Sequence, residues 1–308
     1  MVSCAGPTLA QDFSLAWPVD CTLGDTCFIE DYHDSDPAEG RSQDYTCGLN
    51  TRDQHFGTDI ALPFWDADDS GIAVVAAAPG VIFATRDGMA DDWRMRGVTS
   101  DRACGNAVVI DHAGGWQTTY CHLARGSVAV AKGDRLATGD LLGRIGVSGQ
   151  TTHPHLHLTL RRDGTRIDPF NVENAACGAQ MTSLWADTPD YDATLLRLAG
   201  FSTAVPSYET LRAGTARITT ADPTDPLVVY AEAGFTEDGD EITITARGPE
   251  GEIFRNTRTM ENPRQSQLPA FGRRAPTGGW PRGEYLGQIT VTRNGRLVAN
   301  RWAHVTVE

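Results

Sequence analysis

The chain has 308 residues, enough for about two domains that each bury a core of their own. Its 40 acidic residues outnumber 26 basic ones, for a formal net charge of −14. That balance argues against a nucleic-acid partner, since binding to phosphates draws most of its affinity from cationic side chains. No run approaches the roughly 18 apolar residues that a spanning helix needs, so no membrane span is expected.

Residues 1–10 read as a signal-peptide remnant, because Thr8 and Ala10 place small residues at the two positions a signal peptidase reads. Export to a periplasmic or extracellular location is therefore expected. The cysteines fit that reading. Seven are present, and losing Cys4 with the leader leaves Cys21, Cys27, Cys47, Cys104, Cys121 and Cys177, an even six suited to an oxidising compartment. No CxxC pair supports a thiolate metal site. Cys104 and Cys121 lie on consecutive strand-like runs and are expected to be joined, with Cys121 facing away from Tyr120 and His122. Cys21 and Cys27 close a short loop, but the pairing of Cys21, Cys27, Cys47 and Cys177 stays open at this level.

Residues 11–54 look irregular, rich in Asp, Gly and turn formers. From His55 the pattern changes to short apolar-alternating runs split by Gly and Asn turns, as in Gly71–Ala76, Gly80–Ala84, Ala107–Asp111 and Trp116–Tyr120. This predicts an antiparallel all-β domain over residues 55–180. Arg86–Arg102 interrupts it with a polar loop long enough to form a rim or lid. Residues 181–215, with Pro189, Pro206 and a helix-like run from Tyr191 to Ala199, read as a connector. Residues 216–308 are β-rich again. Glu241–Ala246 alternates cleanly, and Asn294-Gly295 between two strand-like runs signals a two-residue hairpin. A small β-sandwich, immunoglobulin-like in general plan, is expected there.

Two segments carry the chemistry. In His55-Phe-Gly-Thr-Asp59-Ile-Ala-Leu62, strand alternation would put His55, Gly57 and Asp59 on one face and Phe56, Ile60 and Leu62 in a core. Gly57, lacking a Cβ, leaves room between the polar groups. In His155-Leu-His157-Leu-Thr-Leu160 the histidines share a face opposite three leucines. Either motif alone is weak, since isolated histidines are usually satisfied structural residues. Together they offer two imidazoles and a carboxylate, a set that suits Zn²⁺ with one coordination position open. No His-Glu-x-x-His helix supplies a glutamate base, which leaves His122 and the non-ligand member of the His155/His157 pair as candidates. His33, His112 and His304 lack comparable settings.

In order along the chain, His55-x-x-x-Asp59, Tyr120-Cys-His122-Leu and Pro154-His155-Leu-His157-Leu resemble the signature of the lysostaphin/LytM-type zinc metalloendopeptidases, which hydrolyse peptidoglycan. The intervening Val75-Ala-Ala-Ala-Pro-Gly-Val81, Lys132-Gly-Asp134, Thr138–Gly143 and Gly146-Val-Ser-Gly149 are similar too. The resemblance spans about residues 55–170. It implies a LytM-type antiparallel sheet with one Zn²⁺ per chain on His55, Asp59 and His157. His122 and His155 would be the catalytic pair, with Tyr120 in support on the face of His122. It also implies peptidoglycan peptides as substrate, cut beside glycine or a D-amino acid.

His153 departs from the family pattern, which usually has a small residue there, and so do the cysteines. A non-enzymatic LytM-like peptidoglycan-binding or amidase-activating protein is the competing reading. Such relatives typically lack zinc ligands, whereas all five positions are present here. A zinc carboxypeptidase or amidase of another family fits the His-to-Asp spacing less well. Every candidate residue precedes Pro169, so the C-terminal part is expected to be dispensable for the chemistry. Oligomeric state is not legible in the sequence.

Overall fold

A computed structural model describes residues 13–24, 26–36, 38–62, 71–173, 177–178, 181–192 and 194–308. The leader-like residues 1–10 and Cys4 lie outside them. The N-terminal half is built on strands β1 (Phe28–Asp31), β2 (Thr58–Ala61), β3 (Ala73–Val75), β4 (Gly80–Arg86), β5 (Asn106–Asp111), β6 (Trp116–Leu123), β7 (Arg135–Leu136), β8 (Leu141–Arg144), β9 (His155–Arg162) and β10 (Thr165–Ile167).

Eight of these form one antiparallel sheet in the order β1-β2-β9-β6-β5-β4-β7, with β10 also paired to β9. β2 pairs with the first half of β9 and β10 with the second, so one edge of β9 is covered by two strands in succession. Strands β3 and β8 form a separate ribbon. One face of the sheet closes a core that includes Ile60, Leu62, Val108, Ile110, Leu156, Leu158 and Leu160. The alternation read from Ile60, Leu62 and the three leucines is therefore the alternation present. Phe56 is the exception: it precedes β2, is half-buried, and stays outside that core.

The N-terminal segment is less irregular than its composition suggests. Phe28-Ile-Glu-Asp31 forms the edge strand β1, and Leu15, Val19, Ile29 and Tyr32 enter the same core. Three disulfides join all six cysteines of the described residues: Cys21–Cys27, Cys47–Cys177 and Cys104–Cys121. Cys47–Cys177 spans 130 positions and ties the N-terminal segment to the end of the first half.

The second half contains β11 (Leu195–Ser202), a short helix α1 (Tyr208–Arg212), β12 (Thr220–Ala221), β13 (Leu227–Thr236), β14 (Glu241–Gly248), β15 (Gly251–Thr259), β16 (Arg264–Gln267), β17 (Ala270–Arg273), β18 (Gly283–Arg293) and β19 (Arg296–Val307). They make a four-stranded and a five-stranded sheet. Leu196, Phe201, Val229 and Ala231 of the first pack with Ile244, Ile289, Val291 and Val305 of the second in one core, as a sandwich requires. Asn294 and Gly295 both take positive φ and join Arg293 to Arg296, the two-residue turn their identity implies.

The helix-like reading of Tyr191–Ala199 fails. From Leu195 the chain is strand, buried at seven of eight positions. Leu196 and Phe201 enter the sandwich core, while Leu195 packs against Phe28, Ala61 and Phe235 between the two halves. A strand covered on both faces loses the period-2 signal. No helix of the described residues is long and apolar enough to cross a membrane.

Candidate metal and catalytic centre

Asp59 and His157 sit directly opposite each other in the β2–β9 ladder, as do Ala61 and His155. Opposed residues in an antiparallel pair share a face, so the register alone brings the carboxylate to both histidines. His157 Nδ1 lies 2.6 Å from Asp59 Oδ1, and His55 Nε2 lies 3.1 Å from Asp59 Oδ2 and 3.2 Å from His157 Nδ1. His155 Nε2 is 3.5 Å from Asp59 Oδ2. One potential ligand atom from each of His55, Asp59 and His157 lies within 4.8 Å of the others, the one such group found among the described residues. Gly57 is required beside them. A Cβ there would come within 2.5 Å of the His157 ring and 2.8 Å of the Leu158 carbonyl. The room it leaves is room for the His157 imidazole.

Each imidazole has its protonation site fixed by a neighbour that accepts. His55 Nδ1–H donates to the Tyr32 carbonyl (2.8 Å), which leaves the Nε2 lone pair facing Asp59. His157 Nε2–H donates to Thr159 Oγ1 (2.9 Å), whose own hydroxyl donates to the Phe56 carbonyl (3.2 Å), so the Nδ1 lone pair is the free one. His122 Nδ1–H donates to the Ser148 carbonyl, and His155 Nδ1–H to the His153 carbonyl, each at 2.8 Å. Nitrogen lone pairs thus converge from four histidines. Outer partners of this kind orient ligating and catalytic imidazoles alike.

The electrostatics suit a cation. Burial pushes the Asp59 carboxyl up, but the surrounding imidazoles His55, His155 and His157 hold it well below its usual range. Burial pulls His55 down, and Asp59 outweighs this to raise it to about 9. With no ion bound, Nε2 therefore holds a proton toward Asp59, and a cation would take that proton's place. His122 is lowered well below the usual imidazole range, by burial first and then by its neighbours His155 and His157, and so stays neutral. Two imidazole nitrogens and one carboxylate oxygen, with lone pairs inward, form a donor set that fits zinc.

His122 reaches this face by a route that alternation does not give. Between Asn106 and Val108 the β5–β6 register slips, so that Ala107 faces both Cys121 and His122. His122 itself takes a φ of 64°, a left-handed conformation uncommon for a non-glycine residue. The bulge turns its ring toward the site, 4.7 Å from the His155 ring. Tyr120 is on the other side. It pairs with Leu158, is fully buried, and its hydroxyl accepts the Ala77 amide at 2.8 Å. The expected support from Tyr120 on the face of His122 is therefore corrected: it braces the core. Cys121 pairs with His157, so the Cys104–Cys121 bridge is formed as expected but lies on the histidine face.

Sequence reasoning missed several neighbours. Arg52 bridges Asp31 and Asp59, at 2.6 and 2.8 Å. A cleft of about 180 Å³ beside His155 is lined by Glu30, Asp31 and Arg52 together with Arg197, Phe235 and Gln265 of the second half. Buried Arg197 pairs with Glu30 (3.1 Å) and Glu232 (3.2 Å). The C-terminal half thus shapes the surface next to the site, while all five candidate site residues lie in the first half. His153 Nε2–H donates to the Leu62 carbonyl (2.6 Å), and the ring lines the same cleft. The polar loop over Arg86–Arg102 is pinned near the site, with Asp91 accepting the Val147 and Arg125 amides.

An all-β sheet carrying a His/Asp/His set and two further inward imidazoles on one face defines a candidate metal centre. Residues 53–169 match the family described as Peptidase family M23. The chain therefore carries a domain of peptidase family M23, the lysostaphin/LytM type. It is 33% identical over 161 residues to the "DD-carboxypeptidase/endopeptidase Mpg" of Neisseria meningitidis serogroup B, covering 51% of this chain and 32% of that protein. It is 33% identical over 118 residues to the "Peptidoglycan DD-endopeptidase ShyA" of Vibrio cholerae, covering 38% and 23%. The match thus spans a third or less of these relatives' length. The solved catalytic domain of lysostaphin from Staphylococcus simulans matches at 24% identity and a TM-score of 0.29, covering 38% of this chain and 77% of that one.

Proposed function

We propose that this protein is an exported, zinc-dependent endopeptidase that hydrolyses peptide cross-links of bacterial peptidoglycan. The observation that carries the reading is the convergence of His55 Nε2, Asp59 and His157 Nδ1 with their lone pairs inward, in an M23 domain. These three residues would hold one Zn²⁺ per chain. When bound, the ion supplies Lewis acidity and water that deprotonates near neutral pH.

The protein's own residues supply the proton handling. His122 and His155 have their Nδ1–H groups tied to backbone carbonyls, so each has Nε2 as the nitrogen able to take a proton. In peptide hydrolysis water adds to the carbonyl carbon, the C–N bond breaks, and the proton lost by water ends on the leaving amine. One imidazole takes and delivers that proton, while the other, when protonated, hydrogen-bonds the oxyanion. The names of the Neisseria and Vibrio relatives favour a bond between D-configured centres over a glycyl bridge. Three disulfides fit an oxidising, exported setting.

The test is metal analysis of the purified protein, with digestion of purified wall before and after chelation and mass analysis of the products. About one zinc per chain and chelator-sensitive cleavage are expected. Full activity in a metal-free sample refutes the mechanism. Stoichiometric zinc without cleavage would favour the non-enzymatic, wall-binding alternative.

A further inference from the structure

The histidine face of β9 continues past the metal ligands. Beyond His157 and Thr159 it carries Arg161, whose Nη1 donates to Thr119 Oγ1 at 3.3 Å. The β9–β10 hairpin sets Arg166 directly opposite Arg161. Like charges at directly opposed positions are destabilising. Burial and the facing Arg166 both lower Arg161 from its usual range. Among the described residues, neither arginine has a carboxylate within ion-pair distance. In a chain with a net charge of −14, two facing and uncompensated guanidiniums are a local exception.

Both arginines line a cleft of about 660 Å³ that also includes Phe56, the residue after His55. The Arg166 guanidinium lies 4.4 Å from the Phe56 ring centroid, which holds it at the cleft wall. Two acids of this cleft are engaged elsewhere. Asp34 accepts the amides of Asp36, Gln43 and Gln54, and Asp36 accepts the Ala38 amide and pairs with Arg41. Asp168 Oδ1 accepts the Phe170 amide, while its Oδ2 is buried with no partner among the described residues. The cleft therefore holds two cationic forks and an unsatisfied carboxyl oxygen beside the metal-ligand strand.

We propose that this cleft is a substrate subsite that takes a free carboxylate of the wall peptide between the guanidiniums of Arg161 and Arg166. The inference rests on the peptidase reading and extends it to what the groove recognises. Four strand positions separate His157 from Arg161, about 13 Å along β9. An extended peptide bound at the ligands reaches that point within a few residues. A carboxylate there relieves the arginine–arginine repulsion, and planar forks match it bidentately.

The test uses the full, zinc-loaded chain and calorimetric titration with a wall stem tetrapeptide, either with free carboxylates or with all of them amidated. The free acid should bind about 10- to 100-fold more tightly, the range for hydrogen bonds to charged groups. The Arg161→Gln/Arg166→Gln double variant should lose that preference and melt no lower than the wild type, because a like-charge pair is removed. Arg166→Gln alone, at an exposed position, should lose about tenfold and covers the case of a poorly folding double variant. Equal affinity for acid and amide in the wild type, or a preference that survives in the variants, overturns the subsite. Acid preference without wall cleavage would keep the subsite and sink the hydrolase reading. Cleavage without acid preference would do the reverse.

Discussion

His157 and His155 sit two residues apart on one strand, yet the proposed mechanism gives them different work, and substitution should separate them. His157 Nδ1 is 2.6 Å from Asp59, with its ring held from behind by the Thr159 hydroxyl. His157→Ala removes one of three ligand atoms, so zinc content and turnover should fall together. His155→Ala and His122→Ala leave all three ligand atoms in place and should retain zinc while losing about 10²–10⁴-fold in kcat, the usual contribution of a general acid–base group. Their losses should be non-additive, because both act on one transition state. Thr159→Val gives an intermediate case. It keeps the ligand but frees His157 Nε2, and outer-shell losses of this kind typically cost about 10- to 100-fold in metal affinity. The assays are zinc per chain by elemental analysis and single-turnover hydrolysis of a defined muropeptide. A full zinc load in His157→Ala, or none in His155→Ala, would mean that the two histidines are assigned the wrong way round. Near-wild-type turnover in His122→Ala would remove that residue from the mechanism.

Two further outcomes concern stability. Burial raises the Asp168 carboxyl from 3.8 to about 7. Between those values the unfolded chain ionises while the folded one keeps its proton, so stability is lost as pH rises from about 4 to 7 and is flat above. At about 1.36 kcal/mol per pH unit this amounts to at most about 4 kcal/mol. Asp168→Asn keeps an acceptor for the Phe170 amide, so it should gain up to that amount at pH 8 and little at pH 4 by urea unfolding. No pH dependence in the gain would refute the account. Arg197→Ala should cost about 3–5 kcal/mol, because it leaves Glu30 and Glu232 without their shared, buried cation. A loss under about 1 kcal/mol by the same assay would show that solvent compensates both glutamates.

How much of this was legible in the sequence follows from where the backbone is regular. The leucines of β9 and the Asp59/His157 pairing obey period 2, so motif spacing alone anticipated the core and the shared face of the carboxylate and the histidines. The choice of His157 over His155 as a ligand came only with the family resemblance. Phe56 did not obey it, because β2 begins only at Thr58, and His122 did not, because a bulge at a left-handed histidine reverses its face. Nothing in Tyr120-Cys-His122 announces that extra residue. Strand β11 hid its type through burial on both faces, and β1 is four residues inside a turn-rich segment. Arg52, Glu30 and Arg197 reach the site through tertiary contacts, for which local pattern holds no signal.

The segment that looked least structured turns out to constrain the chemistry. The Tyr32 carbonyl, which selects the His55 tautomer, belongs to the stretch just after β1, and Asp31 of β1 stands opposite Asp59 with Arg52 bridging the two. Two carboxylates at that separation repel unless a cation lies between them. Arg52 supplies one on the outer side, and a metal ion on the histidine side would supply the other. Tyr32 also packs on Phe170, Tyr45 and Tyr191, and Cys47–Cys177 closes the same segment onto the end of the first half. Such a tether reduces the freedom that residues 13–54 would otherwise have to withdraw the carbonyl from His55. The disulfide and the aromatic cluster lie outside the signature motifs, yet they hold the hydrogen-bond acceptor that orients His55 for its proposed role as a ligand. Metal affinity in this protein should therefore depend on oxidation of a bridge that touches no ligand.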